Sequence, residues 1–139
     1  MNVLTSQPAF QLSNPDALYD PTTNGYSHLA QVNGGARLVF VAGQGGEDRN
    51  GTLSASFSEQ ARQALANVQS ALASQGAGLQ NVFKLTLLIV DHSEEKLRAW
   101  VAEADRAWGD QMKPACTLIP VPRLALEGMH VEIEAIAAL

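Results

Sequence analysis

Two carboxylates near the C-terminus are the first candidates for chemistry. Glu132 and Glu134 alternate with Val131 and Ile133, and in a strand this spacing places both acidic side chains on one face. The simple interpretation is a polar face in contact with solvent. The alternative is that the face is largely buried, and a carboxylate in a semi-buried cleft between subunits could work as a proton shuttle. The spacing alone favours neither interpretation.

The single cysteine, Cys116, is the second candidate. It follows Pro114 at the start of a predicted strand. A free cysteine among apolar neighbours is most often a small buried hydrophobic residue, whereas a reactive thiolate needs a cation or a helix N-terminus beside it. Arg123 is seven residues further along the chain, too far to be assumed a neighbour. An inert Cys116 is the favoured interpretation.

Metal and nucleotide sites are not indicated. His28, His92 and His130 are far apart and form no HxH or HxxxH pair, and no CxxC is present, so we predict no metal site. The glycine-rich stretch "AGQGGEDRNG" lacks the phosphate-binding pattern GxxxxGK[ST] and carries two acidic residues. It follows a predicted strand, so Gly43 and Gln44 could still line a pocket at the end of that strand.

Composition and charge limit the class of protein. The chain has 139 residues, of which 46% are hydrophobic and 17% charged, as expected for one globular domain. A net charge of −5 without clusters of basic residues argues against nucleic acid or an anionic membrane as the main partner. One cysteine cannot form an internal disulfide, and no signal peptide or membrane-spanning run is evident, so we predict a cytoplasmic protein.

The N-terminal part is predicted to differ from the rest. Residues 1–27 are rich in Pro, Asn, Asp and Thr, which predicts loops and turns with a tight turn at Asn24–Gly25. The domain proper is predicted to span 28–139. It begins with two apolar segments, "HLAQV" and "RLVFVA", which flank Asn33–Gly35 and predict a β-hairpin.

The remainder alternates helices and strands. Ser56 and Glu59 form a capping-box pattern before a stripe of apolar residues, and a second helix is predicted to begin near Ser93. "VFKLTLLIV", "CTLIPV" and "HVEIEAIAA" are predicted strands. The order β-β-α-β-α-β-β predicts an α/β sandwich with a mixed sheet and both helices on one face. Because "LVFVA" and "LTLLIV" are apolar on both faces, we expect the second face to be buried in a homo-oligomer.

These segments in combination resemble the Rid family (RidA/YjgF, L-PSP endoribonuclease-like). The matching stretches are "GYSHLAQV", "VFVAGQ", "SEQARQALANVQSAL", "NVFKLTLLIVDHSE" and "KPACTLIPVPRLALEGMHVEIEAIA", which together run from about Tyr26 to the C-terminus. The resemblance implies a chorismate-mutase-like fold that forms a homotrimer around a barrel-like core. It also implies small-molecule ligands in clefts between subunits and hydrolysis of enamines and imines without a cofactor.

The resemblance also implies a set of site residues. Glu132 matches the carboxylate that positions the attacking water, and Cys116 occupies the place of the arginine that clamps the substrate carboxylate. The implied ligand-binding positions are Tyr26, Gly43, Gln44, Leu88 and Ala115. Two positions depart from the family pattern, because Ala42 replaces a serine and Cys116 replaces the arginine. A thiol offers one weak donor and no positive charge, so this Arg-lacking chain is expected to act poorly on 2-iminoacids.

Three hypotheses follow. A hydrolase acting on an uncharged or differently anchored imine, enamine or lactam-like metabolite requires Glu132 and Cys116 within reach of one small molecule. A non-catalytic trimer that binds a metabolite would hold Glu132 in structural hydrogen bonds. A thiol-based role requires an exposed Cys116 with a low pKa. The sequence favours the first hypothesis slightly over the second, and places the third behind both.

Overall fold

The fold is a sheet covered on one face by two helices. The computed structural model describes residues 7–139. Within them the elements are β1 (Phe10–Ser13), β2 (Leu29–Val32), β3 (Leu38–Gly45), α1 (Phe57–Ala73), β4 (Val82–Val90), α2 (Glu94–Trp108), β5 (Ala115–Val121) and β6 (Val131–Ala138). Among these described residues, neither helix has the length and apolarity needed to cross a bilayer.

The main sheet has four strands in the order β3-β6-β4-β5. Strands β4 and β5 are parallel, and β6 is antiparallel to β3 and to β4. Strands β3, β4 and β5 therefore all run in one direction, and the helices connect them. Right-handed crossovers place both helices on the same face of the sheet. The predicted mixed sheet with two helices on one face is confirmed.

The core lies between the sheet and the helices. Every second residue of β4 and β6 points towards the helices, as strand periodicity requires. The inward residues are no more than 2% exposed and are Leu85, Leu87, Ile89, Val131, Ile133, Ala135 and Ala137. Val68 and Leu72 of α1 and Trp100 of α2 cover them, also at no more than 2% exposure. Burial of this apolar surface is the main stabilising contribution to the fold.

Both helices begin at the residues that the sequence indicates. Ser56 Oγ accepts a hydrogen bond from the Glu59 amide at 3.3 Å, and Ser93 Oγ accepts one from the Lys96 amide at 3.1 Å. Each bond satisfies one of the free amides of a first helical turn. Only half of the predicted capping box forms at Ser56, because the Glu59 carboxylate binds the hydroxyl of Ser54 instead of the Ser56 amide.

The predicted β-hairpin is wrong in its pairing. Asn33 accepts a hydrogen bond from the Ala36 amide at 3.3 Å, so the turn exists. However, β2 pairs antiparallel with β1, and β3 pairs with β6. Strand β3 has eight residues and β2 has four, so pairing with the long β6 gives β3 the more extensive ladder and places Val41 in the core.

The N-terminal prediction is corrected by the same pairing. The segment 1–27 was predicted to form loops and turns, but it supplies β1, whose Phe10 lies 5.9 Å from the ring of Phe83. Residues 1–6 of that segment lie outside the described residues. The tight turn at Asn24–Gly25 is confirmed, because Gly25 adopts a φ of 76°, a left-handed conformation that favours glycine.

The face of the sheet away from the helices is open in the protomer and carries large apolar side chains. Phe40 is 70% exposed, Leu38 45% and Ile119 42%. We refer to this surface as the open face. Large exposed apolar side chains on one face of a sheet commonly mark a protein–protein contact.

Candidate functional site

The carboxylate of Glu132 occupies the space above Gly43 on the open face. Glu132 pairs with Leu88 of β4 on one side and with Gly45 of β3 on the other. The register of β3 shifts between Val41 and Gln44, which brings Gly43 against the glutamate. A Cβ built on Gly43 would lie 2.1 Å from Glu132 Oε1. A side chain at position 43 and this carboxylate position are therefore incompatible.

The two acidic residues of β6 differ in their environment. Glu134 is exposed and pairs in register with Thr86, whereas Glu132 is half-buried. Among residues 7–139, no donor forms a hydrogen bond with the Glu132 carboxylate within the chain. Because a half-buried polar group normally finds a partner, the acceptor capacity of Glu132 is available to a water or a ligand.

A buried glutamine fixes the start of β6 and hence the position of Glu132. Gln60 of α1 is fully buried. Its Nε2 donates to the carbonyls of Ser54 and Gly128, each at 2.7 Å, and its Oε1 accepts from the His130 amide at 2.8 Å. These bonds tie the turn before β6 to the helix. Gln60 was not among the residues predicted from the sequence, although a polar residue within an apolar helical stripe was a signal that could have identified it.

Cys116 lies on the helix side of the sheet. It pairs in register with Leu85, which belongs to the core, and it packs against that core as a half-buried side chain. Burial raises the pKa of the Cys116 thiol to about 11, and the positive charge of Lys84 lowers it by less. The thiol is therefore neutral at pH 7, in agreement with the inert interpretation.

A cleft of about 420 Å³ opens beside Cys116, between β5 and α2. Its walls include Leu87 and Leu118 from the sheet, Trp100 from α2, and Tyr26, His92 and Cys116. This size lies within the range of small-molecule sites. We refer to it below as the thiol cleft.

Tyr26 reaches the thiol cleft because the next residue is attached to β5. The Ser27 amide donates to the Pro114 carbonyl at 3.1 Å, and Ser27 Oγ donates to the Lys113 carbonyl at 2.5 Å. Ser27 also forms a parallel bridge with Ala115. Buried Ala115 thus holds the segment around Ser27 next to the cleft. Tyr26 forms part of the cleft wall, whereas Ala115 does not.

The hydroxyl of Tyr26 is in contact with a second tyrosine. It forms a hydrogen bond with the hydroxyl of Tyr19. The pKa of Tyr26 is raised to about 12, and the larger cause is burial and the second is this hydrogen bond. His28 lies edge-on to both rings, at 5.1 Å from Tyr19 and 5.3 Å from Tyr26. No sequence pattern indicated Tyr19, which lies in the segment predicted to be loop.

Comparison with known proteins identifies the family. The profile of the endoribonuclease L-PSP family matches residues 18–139. This chain belongs to that family, the Rid or YjgF family. A RutC family protein of Aquifex aeolicus is 34% identical over 113 residues, which cover 81% of this chain and 86% of the relative.

Solved structures of other Rid proteins have the same fold. YyfB from Yersinia pestis superposes with a TM-score of 0.88 at 32% identity, covering 94% of this chain and 99% of the other. Escherichia coli TdcF with bound serine superposes with a TM-score of 0.65 at 27% identity, covering 78% and 84% of the two chains. The expected Rid fold is confirmed.

In this Rid protein the residues named from the sequence fall into two groups. Gly43, Leu88 and Glu132 lie on the open face, whereas Tyr26 and Cys116 line the thiol cleft on the helix side. Gln44 belongs to neither group, because it pairs with Ile133 and its Nε2 donates to the carbonyl of Ala42 at 3.0 Å. Within one protomer, the sheet separates the two groups.

The three histidines of this Rid protein have different surroundings. Over residues 7–139, no group of three or more His, Cys, Asp or Glu side chains is arranged to hold a metal ion. His92 lines the thiol cleft, whereas His28 stacks with the tyrosines and His130 precedes β6. His92 was predicted to be a surface or edge residue, and no sequence pattern connected it with Cys116.

Proposed function

We propose that this protein is a cofactor-free hydrolase of the enamine and imine deaminase type, with sites between the copies of a homotrimer. In this proposal Glu132 positions the attacking water. The substrate is uncharged, or is anchored differently from a 2-iminoacid, because Cys116 replaces the arginine implied by the family pattern. Hydrolysis of a C=N bond requires only a positioned water and a group that transfers protons, which suits a site without a cofactor.

The observation that carries this proposal is the free acceptor capacity of the Glu132 carboxylate above Gly43. A water held by a carboxylate in a sheltered site is oriented and can lose a proton to it. A non-catalytic metabolite-binding trimer is the alternative, and it predicts a Glu132 that is tied into structural hydrogen bonds. Within the protomer, none of the hydrogen bonds among residues 7–139 uses the Glu132 carboxylate, which supports the hydrolase.

A shared site for Glu132 and Cys116 requires two copies of the chain. The two side chains lie on opposite faces of one sheet, so one small molecule cannot contact both within a protomer. Assembly through the open face would bring Glu132 of one copy towards the sheet edge of another, and it would cover Phe40 and Ile119. TdcF, a structural relative, was solved with bound serine, which supports a small metabolite as the ligand.

A thiol-based function is disfavoured by the environment of Cys116. Catalysis or redox sensing by cysteine depends on the thiolate. Burial raises the pKa of Cys116 to about 11, so only about one molecule in ten thousand carries a thiolate at pH 7. Cys116 is therefore proposed as a neutral wall of the site that determines which ligand is accepted.

The test is ammonia release from 2-aminoacrylate generated in situ. We expect little activity in the wild type and a clear gain in Cys116→Arg, since a guanidinium can clamp the substrate carboxylate. Adding Glu132→Gln to Cys116→Arg should remove at least 100-fold of the gained rate, because the amide keeps the shape of the side chain and loses its basicity. Glu134→Gln in the same background is the matched control and should leave the rate unchanged.

Two outcomes would contradict the proposal. One is a folded, oligomeric Cys116→Arg protein without activity. The other is a gained activity that Glu132→Gln does not reduce. High activity in the wild type would instead show that the arginine is dispensable. That result would contradict the proposed change of substrate and would support the proposed hydrolase activity.

A further inference from the structure

The walls of the thiol cleft are neutral and largely apolar. Leu97 and Leu118 supply half-buried apolar surface next to the core residues Leu87 and Trp100, and the thiol of Cys116 is half-buried and neutral. Such a site does not compensate the desolvation of a carboxylate, because no wall residue offers a permanent positive charge. The cleft is therefore suited to an uncharged molecule.

Two cations approach the rim of the cleft, and both are already engaged. Lys84 Nζ donates to Thr117 Oγ1 at 2.8 Å. The guanidinium of Arg98 donates to the Thr23 carbonyl at 2.9 Å and to Asn24 Oδ1 at 2.5 Å. Recruiting either cation for a ligand would break these bonds.

One wall residue has an unused hydrogen-bonding atom. His92 lines the thiol cleft, and its Nδ1 is the one buried side-chain nitrogen or oxygen without a partner among residues 7–139. Buried polar atoms without partners are uncommon and costly, and they commonly mark a place for a ligand or a water. Depending on the tautomer, a neutral imidazole nitrogen donates or accepts.

We propose that the thiol cleft binds an uncharged, planar small molecule with an amide-like group, and that His92 selects this molecule through a hydrogen bond at Nδ1. Tyr26, which is half-buried, supplies aromatic surface for the planar part of the ligand. The amide-like group both donates and accepts, so it satisfies either tautomer of His92. This inference rests on the proposed function, because it names the substrate class of the same site.

The experiment compares three probes of nearly the same shape and different charge on the full chain. Benzamide is neutral, benzoate is an anion and benzamidine is a cation. Binding is measured by calorimetry and by chemical-shift changes at the Trp100 indole. We expect benzamide to bind at least about tenfold more tightly than benzoate or benzamidine, since the charged probes lose hydration without gaining a partner.

Variants identify the residues responsible. His92→Phe keeps the ring and removes the hydrogen bond, and it should weaken benzamide binding by roughly five- to tenfold. His130→Phe, outside the cleft, is the matched control and should leave binding unchanged. Cys116→Arg should reverse the preference towards benzoate. Arg98→Met should leave the neutral preference of the wild type intact.

The proposal is overturned if benzoate binds the wild type as tightly as benzamide, above all if that binding is lost in Arg98→Met. It is also overturned if His92→Phe binds benzamide as tightly as the wild type does. The same holds if none of the three probes binds at a concentration of about 10 mM, which is tenfold above a millimolar dissociation constant. Binding selectivity and ammonia release are independent measurements. A neutral preference without hydrolysis would therefore reject the proposed catalysis alone, and hydrolysis with an anionic preference would reject this inference alone.

Discussion

Cys116 and Glu132 lie on opposite faces of the same four-stranded sheet. Cys116 pairs with Leu85, which belongs to the core beneath the helices, whereas Glu132 pairs with Leu88 on the open face. Side chains alternate between faces along each strand, so this separation follows from register. A site that uses both residues can be completed only by a second copy of the chain, and assembly and function are therefore coupled in this proposal.

Assembly can be tested at Phe40. This residue is 70% exposed on the open face, so Phe40→Asp should place an uncompensated charge in the contact between copies. We expect the wild type to behave in light scattering as three times the 14.8 kDa protomer, and Phe40→Asp to behave as a monomer. Ala66→Asp, on the exposed side of α1, is the control and should remain trimeric. A monomeric wild type would remove the basis for the shared site.

Replacement of Gly43 should affect the site more than the fold. The Cβ of Gly43→Ala would lie 2.1 Å from Glu132 Oε1, and the flexible carboxylate would move away. A displacement of about 1 Å can cost on the order of 100-fold in rate, so we expect such a loss of ammonia release in the Cys116→Arg background. The melting temperature should change little. Gly34→Ala, where a Cβ meets nothing within 4 Å, should retain the full rate.

The reactivity of Cys116 should depend on pH in a defined direction. Because burial raises the pKa of the thiol to about 11, the thiolate fraction should increase about tenfold for each pH unit between 7 and 10. Iodoacetamide labelling of the native protein should follow this increase without a plateau. The urea-unfolded chain should label faster at pH 8 and should level off near pH 9. Rapid native labelling that saturates below pH 8 would instead support a thiol-based function.

Ionisation of Tyr26 can be observed directly because the chain has only two tyrosines. In Tyr19→Phe, absorbance at 295 nm reports Tyr26 alone. Burial is the largest cause of its raised pKa and the bond to Tyr19 is the second. We expect the pKa of Tyr26 in this variant to fall below about 12 and to remain above 10, the ordinary value for tyrosine. A pKa at or below 10 would mean that the hydroxyl is exposed to solvent.

Several features could be predicted from local sequence because they depend on local physics. The starts of α1 and α2 follow from the hydroxyls of Ser56 and Ser93, which satisfy free amides whatever lies elsewhere in the chain. The turn at Gly25 follows from the conformational freedom of glycine. The sheltered face of β6 follows from strict alternation, which placed Val131 and Ile133 inward.

The sequence by itself thus determined both helices, the strands after residue 28, the covered face of the sheet and the replacement of an expected arginine by Cys116. Tertiary structure alone decided which strands pair, since β2 joins β1 and β3 joins β6 through contacts between distant residues. It also decided that Glu132 lies above Gly43, because a bulge in one strand sets the register against another. The grouping of His92 with Tyr26 and Cys116 likewise depends on packing across the fold. Contacts between residues far apart in the chain leave no local sequence pattern, whereas the propensities of residues for helix, strand and turn do.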